Sequence, residues 1–394
     1  MSRLWDKGAP LDSRVLQYTA GDDHALDNRL VAHDVRASIA HAQMLNAQGL
    51  LSAEDFKLIR DGLTVIGDEH AQGKWQVTLE HEDGQTALET LLTQRIGQAG
   101  ARVHLGRSRN DQVLTALRLF LRDATTDLNK AVLKVAEALD ALGERETDTA
   151  LPGYTHMQQA MPSSVKLWAG GFAAELRDDA AGLMQVQRRT GKSPLGSAAG
   201  YGTPNLPLDR ATTAKALGFN EVHEPVTAVQ LSRGKAEAQL LFEIVMVMQD
   251  VARLSSDLCL FYTQEFEFVS LPDAFTTGSS IMPQKRNPDV FELIRGRSAA
   301  AQAALFEVLG IVAKLPSGYQ RDLQLIKVPL FRAIDLCSDT LDILAPALAE
   351  VKFRKENISM DASINAAAEA YELVKNEGIP FREAYLRVGK KYLK

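Results

Sequence analysis

A chain of 394 residues is too long for one small core and sets an expectation of two or three domains, fewer if its helices are long. Hydrophobic residues at 45% and charged residues at 24% exclude a disordered or fibrous chain. With 44 basic against 50 acidic side chains and a net charge of -6, the chain has no global attraction to nucleic acid or to an anionic membrane, so any anion site is local.

The opening MSRLWDKGAP lacks an apolar leader core, and nowhere do eighteen apolar residues run without a charge, so a cytoplasmic protein is expected. Shorter helices are predicted over about 24–48 and 52–72, the second opening with Ser52 before Glu54 and Asp55. From Asp111 to about Glu146, Leu117, Leu121, Ala124, Leu128, Val132, Val135, Leu139 and Leu142 recur at spacings of three or four. Ser108 or Asn110 caps this helix, whose start is then a natural anion site. A weaker helical pattern covers 163–190, and a short hairpin is predicted near 191–210.

After Gly234 the long pattern returns. Leu240, Ile244, Val247, Val251, Leu254, Leu258 and Phe261 alternate four and three, and Phe291, Ile294, Ser298, Ala301, Leu305, Val308 and Val312 nearly do so. A weaker stretch covers 330–349, and short amphipathic pieces follow Glu356. A run of about 35 residues makes a helix of roughly 50 Å, so the fold class expected is mainly α, a long antiparallel helical bundle. Its expected domains are an N-terminal helical domain over 1–106, a central long-helix bundle over 107–357 and a short C-terminal helical segment over 358–394. Cys259 and Cys337 lie in apolar stretches and read as buried reduced thiols, and the eight histidines form no HExxH or paired cluster, so no metal is expected.

Reactive polar residues concentrate in five breaks between helices, at 104–112, 152–162, 194–207, 276–289 and 316–327. The segment TTGSSIMPQKRNPD at 276–289 says most. Gly278, Ser279 and Ser280 make a flexible hydroxyl-bearing loop, and Lys285 and Arg286 add positive charge. A helix cap explains Asn287 and Pro288 alone. The stretch resembles the signature loop of the fumarase/aspartase superfamily, GSSxMPxKxNP, with every signature position filled. HLGRSRNDQV at 104–113, PGYTHMQQAMP at 152–162 and PSGYQRDLQ at 316–324 resemble the matching segments of its argininosuccinate lyase branch, and the likeness runs from Trp5 to Gly389.

That resemblance implies the helical bundle of the fumarase/aspartase type. It also implies reversible anti elimination of fumarate from argininosuccinate to give arginine, the last step of arginine biosynthesis, with no cofactor. Such a reaction needs a base for the proton beside a carboxylate, a clamp for the charge that builds there, and an acid for the departing nitrogen. The resemblance assigns Ser279 as base and Ser280 as an anion ligand. Lys285 and Asn287 hold the developing charge, and Ser108, Arg109 and Asn110 clamp the succinyl carboxylates. Thr155 and His156 match a pair exposed to substrate, His156 serving the leaving-group side with Glu292 orienting it. Tyr319, Gln324 and Lys327 match contacts to the amino-acid end, and Arg233 matches another substrate-side position.

The breaks at 104–112 and 152–162 flank one helix of about 50 Å, so a homotetramer with active sites shared between chains is expected. Three departures stand out. Gly84 and Gln85 replace an apolar residue and a histidine, leaving that role absent or taken by His81; Gly234 follows Arg233 where the family has an acid; and Asp23 stands where a serine often touches substrate. The usual helical extension after PFREA is missing as well. Asp23 and Gly234 leave open a related or amino-modified succinyl substrate. A superfamily lyase acting on adenylosuccinate or aspartate would share the serine loop, and a non-catalytic structural homologue would share the bundle.

Overall fold

A computed structural model describes residues 12–392. Residues 1–11, Trp5 among them, and the last two lie outside the described residues. By its contacts the chain divides into two compact units. One comprises Met1–Leu128, Gly182–Ile244 and Ala301–Asp335, the other Asn129–Ala181, Val245–Ala300 and Leu336–Lys394. Each boundary falls inside one of five helices longer than twenty residues: Arg109–Arg145, Val165–Gln185, Lys235–Phe261, Asp289–Val312 and Lys327–Glu350.

These helices form where the apolar period of three and four predicts them. Leu117, Leu121, Leu128, Val132, Val135, Leu139 and Leu142 are all buried along Arg109–Arg145, as is the whole series from Leu240 to Phe261 in its helix. Each such side chain contributes roughly 1.5–3 kcal/mol on leaving water. The third series is less complete, with Leu305 and Val312 only half-buried.

In the first unit, Val31–Ala47 and Ala53–Ala71 pack as a helical pair. Ser52 caps the second helix, its Oγ accepting from the Asp55 N–H at 3.0 Å. Val31, Leu45, Ile59, Leu63 and Leu92 share one apolar cluster. In the second unit the core is aromatic. Trp168 lies 5.7 Å from Phe261 and 5.9 Å from Phe353 between ring centres, and its indole N–H donates to Asp257 at 2.9 Å. No helix among the described residues is long and apolar enough to cross a membrane. Cys337 is buried and Cys259 half-buried, and neither is in a disulfide.

The one strand expectation is corrected. The segment near 191–210 is no hairpin: Lys192–Ser193 pairs in parallel with Glu221–Val222, and the chain beyond it runs through local turns, with positive φ at Gly196, Gly200 and Gly202 and the N–H groups of Gly200 and Gly202 donating to the Ser197 carbonyl. The hairpin lies in the break at 152–162, where Ala150–Thr155 pairs antiparallel with Gln158–Ser164. Its two-residue tip, His156 and Met157, has φ of 52° and 61°, as a type I′ turn requires.

Candidate active site

In the first unit a group of polar side chains gathers at the start of Arg109–Arg145. Ser108 is the cap. Its carbonyl accepts from Asp111 and Gln112, its Oγ from the Asn110 N–H at 3.4 Å, and its own N–H donates to Asp111 at 2.9 Å. The other oxygen of Asp111 accepts from the N–H groups of Gly196 at 3.0 Å and Ala198 at 2.9 Å. Burial pushes this carboxyl up to about 6, against the pull of those three donors. One side chain thus fastens the loop after Pro194 to the helix start. Asp111→Ala strands three N–H groups around a buried site. We expect a loss of roughly 3–5 kcal/mol of stability, read by urea unfolding; a loss below about 1 kcal/mol would contradict the fastening role.

Beside this helix start opens a cavity of about 100 Å³. Arg109, Asn110 and Val113 line it from the helix, with Asp23, Glu82 and Asp83 from earlier turns. Arg233, Tyr319, Arg321, Gln324 and Lys327 complete it. Lys327 is buried, its Nζ donating to Asp27 at 2.6 Å and meeting Asp23 at 2.9 Å. Burial works against this ammonium, yet Asp27 and Asp23 hold its pKa above the ordinary lysine value. The second oxygen of Asp27 accepts from the Gly84 N–H at 3.0 Å.

Asp83 caps the helix Gly84–Ile96 through the Thr86 N–H at 2.8 Å and meets Arg109 at 3.1 Å, and Arg109 also donates to the Thr86 hydroxyl. Arg321 donates to the Thr19 carbonyl at 2.7 Å and to Glu82 at 3.2 Å, and Gln324 to the carbonyls of Thr19 and Ala20. Arg233 lies over the Tyr319 ring at 5.3 Å. Gly234, with φ of 79°, is required in this fold because an added Cβ would clash with the Val312 side chain.

The second unit carries the serine loop. Thr277 and Asn287 close it as an antiparallel bridge, the Thr277 N–H donating to the Asn287 carbonyl at 3.1 Å and the reverse bond measuring 2.8 Å. Inside the closure, Ser279 Oγ accepts from the backbone N–H groups of Met282 at 3.2 Å and Ile281 at 3.4 Å. Asn287 steadies the turn by donating to the Thr277 hydroxyl and the Gly278 carbonyl, each at 3.4 Å. Ser280 and Lys285 are exposed, and Lys285 makes no side-chain bond to a described residue.

Sequence-predicted residues therefore fall in two groups. Arg109, Asn110, Arg233, Tyr319, Gln324 and Lys327 line the cavity, and Ser108 caps the helix that enters it. Ser279, Ser280, Lys285 and Asn287 share the serine loop, while Thr155 and His156 are exposed at the hairpin tip. Glu292 is exposed on the first turn of Asp289–Val312 with Arg295 at 3.8 Å, and no bond joins it to His156 within the chain. His81 accepts from the Thr78 N–H at 3.1 Å and is no part of the cavity lining; Gln85 is buried against Asp34. Sequence reasoning missed the anions Asp27, Glu82 and Asp83 and the cation Arg321. Glu82 and Asp83 stand as an acidic pair ahead of a helix, Arg321 lies inside the PSGYQRDLQ stretch, and Asp27 has no local signal.

A protein-family model described as a lyase matches residues 13–303. The argininosuccinate lyase of Sorangium cellulosum is 48% identical, covering 98% of this chain and 90% of that protein. The argininosuccinate lyase of Thermotoga neapolitana is 40% identical, over 99% and 98%. Among solved structures, EDDS lyase in complex with formate superposes with a TM-score of 0.80 at 25% identity, over 97% of this chain and 76% of that one. A class II fumarase from Schistosoma mansoni gives 0.77 at 17% identity, over 97% and 93%, a likeness of fold alone. The mainly helical fold is thus of the fumarase/aspartase type, and the extent of identity over nearly the full length of both chains means that the chain belongs to the argininosuccinate lyase family.

Proposed function

We propose that this carbon–nitrogen lyase releases fumarate from argininosuccinate and leaves arginine, with Ser279 as the base. The observation that carries the assignment of the base is the pair of backbone N–H groups already aimed at Ser279 Oγ, at 3.2 and 3.4 Å. A serine hydroxyl is a weak base until its oxyanion is stabilised, and two fixed dipoles supply that stabilisation without reorganisation. Lys285, exposed and without a protein partner among the described residues, adds charge when the loop closes over substrate. Ser280 and Asn287 hold the carboxylate at which charge develops, with Ser108, Arg109, Asn110 and Thr155 as further anion and substrate contacts. His156 passes a proton on the leaving-group side, and Glu292 orients it.

The working form in this reading is a homotetramer with shared sites. Large apolar side chains left bare on the long helices support it: Leu167 is 69% exposed, Leu293 62% and Phe306 70%. So does the 37-residue helix that separates Ser108 from Thr155 and His156 along the chain. At about 55 Å it keeps these residues of one chain from sharing one small substrate. Within one chain Glu292 pairs with Arg295 at 3.8 Å rather than with His156, and in this reading His156 meets Glu292 and Ser279 of other chains. The thiols Cys259 and Cys337, both outside any disulfide, support a cytoplasmic place in arginine biosynthesis. Product identity tests the reading: one arginine and one fumarate must appear for each argininosuccinate consumed.

A further inference from the structure

The charges around the cavity pair off with two left over. Arg109 faces Asp83 at 3.1 Å and Glu82 at 3.7 Å, and Arg321 faces Glu82 at 3.2 Å. Lys327 alone serves both Asp27 and Asp23. Asp27 engages both its oxygens, one with Lys327 and one with the Gly84 N–H. Asp23 engages only Oδ1; its Oδ2 has no partner among the described residues. Arg233, only 6% exposed, forms no ion pair or side-chain hydrogen bond with a described residue and rests on the Tyr319 ring. One ammonium between two carboxylates leaves a negative charge over; Arg233 is acted on by the buried Glu237, but that carboxylate is already shared with Arg118 at 3.4 Å, so a positive charge is left as well.

A buried charge of either sign is costly until it is paired. Two opposite ones at a cavity of about 100 Å³, roughly three waters' worth of liquid volume, complement a small zwitterion. We infer that Asp23 binds the α-ammonium of the arginine half of the substrate, opposite Arg233 at its α-carboxylate, and so makes this chain selective for a free amino group. The inference rests on the argininosuccinate reading above. A serine at this position would offer a neutral hydroxyl; the carboxylate offers a charge-assisted bond about twice as strong. An acylated amine carries no charge and would leave the half-buried Asp23 carboxylate facing an amide, which a site built for a cation rejects.

The groups facing Asp23 agree with this role. Lys327 reaches it from the start of its helix, Asp27 from the next turn of its own segment, Asp83 from the loop before Gly84–Ile96, and Arg233 from the turn before Lys235–Phe261. Burial pushes Asp23 up to about 7, with Lys327 pulling it down and Asp27 pushing it further up. Ammonium binding requires the charged carboxylate, so affinity for arginine should weaken as pH falls below about 7.

The test is calorimetric titration of the full-length protein with L-arginine, Nα-acetyl-L-arginine and 5-guanidinopentanoate, which lacks the amino group. Fumarate release from argininosuccinate is followed alongside. The wild-type protein should bind arginine about 10- to 100-fold more tightly than either analogue. Asp23→Asn should abolish that preference and its weakening below pH 7, and should raise KM by a similar factor. Equal binding of all three by the wild-type protein, a comparison that needs no variant, overturns the inference. So does an unchanged preference in Asp23→Asn. Normal fumarate release without the preference removes only Asp23; an intact preference without fumarate release removes the lyase reading and leaves Asp23 as an amino-acid contact.

Discussion

Ser279→Ala should lower turnover of argininosuccinate by roughly 10²- to 10⁴-fold, the range typical of a lost general base, while KM changes little. The clamps for the succinyl carboxylates are other side chains, Ser108 and Asn110 at the helix start and Asn287 in the loop, so binding survives the change. The loop should survive it too, because its closure depends on the Thr277 and Asn287 backbones, at 3.1 and 2.8 Å, and the serine hydroxyl accepts only from N–H groups that water can also satisfy. Ser280→Ala should differ by weakening binding as well as rate, since an exposed hydroxyl beside the base is placed to touch substrate. Steady-state rates and KM for both variants separate the cases. A fast Ser279→Ala with a dead Ser280→Ala moves the base by one residue, and two active variants end the serine-loop mechanism.

The second large effect is recovery from loss. His156→Ala and Ser279→Ala proteins, each inactive, should regain partial activity when mixed and refolded together, because some shared sites then receive both native residues from different chains. Hairpin tip and serine loop are separate exposed segments of the chain, so neither substitution disturbs the core of a partner. Light scattering on the mixture should give the mass of a tetramer. An active monomer would overturn the shared site, as would a tetrameric mixture with no recovery.

The long helices were legible because their cores obey one local rule. Every apolar residue from Leu240 to Phe261 at alternating spacings of four and three is buried, and a period of 3.6 needs no knowledge of the partner. Failures came where structure depends on distant residues or on exceptions to local rules. Pro152, Gly153 and Pro162 read as breaks, yet a two-stranded ribbon has edges on both sides and tolerates them. His156 and Met157 carry none of the Asn-Gly signal of a two-residue turn; two non-glycine residues accept positive φ there instead.

The chemistry-bearing loops were legible from residue types alone, and the cavity's charge balance was not. Lys327 is bound by Asp27 and Asp23 from 300 positions and more away, and no periodicity links such a pair. Asp111 looked like an ordinary acid in the first turn of a helix. Its second oxygen instead holds Gly196 and Ala198, a tie visible only in three dimensions.

The central claim is the substrate. It is tested most directly by following fumarate absorbance in the ultraviolet with argininosuccinate, adenylosuccinate and aspartate supplied in parallel to the same protein. The account predicts fumarate from argininosuccinate alone, with an equal amount of arginine. Release from adenylosuccinate or aspartate at a comparable rate, or from none of the three, would contradict it.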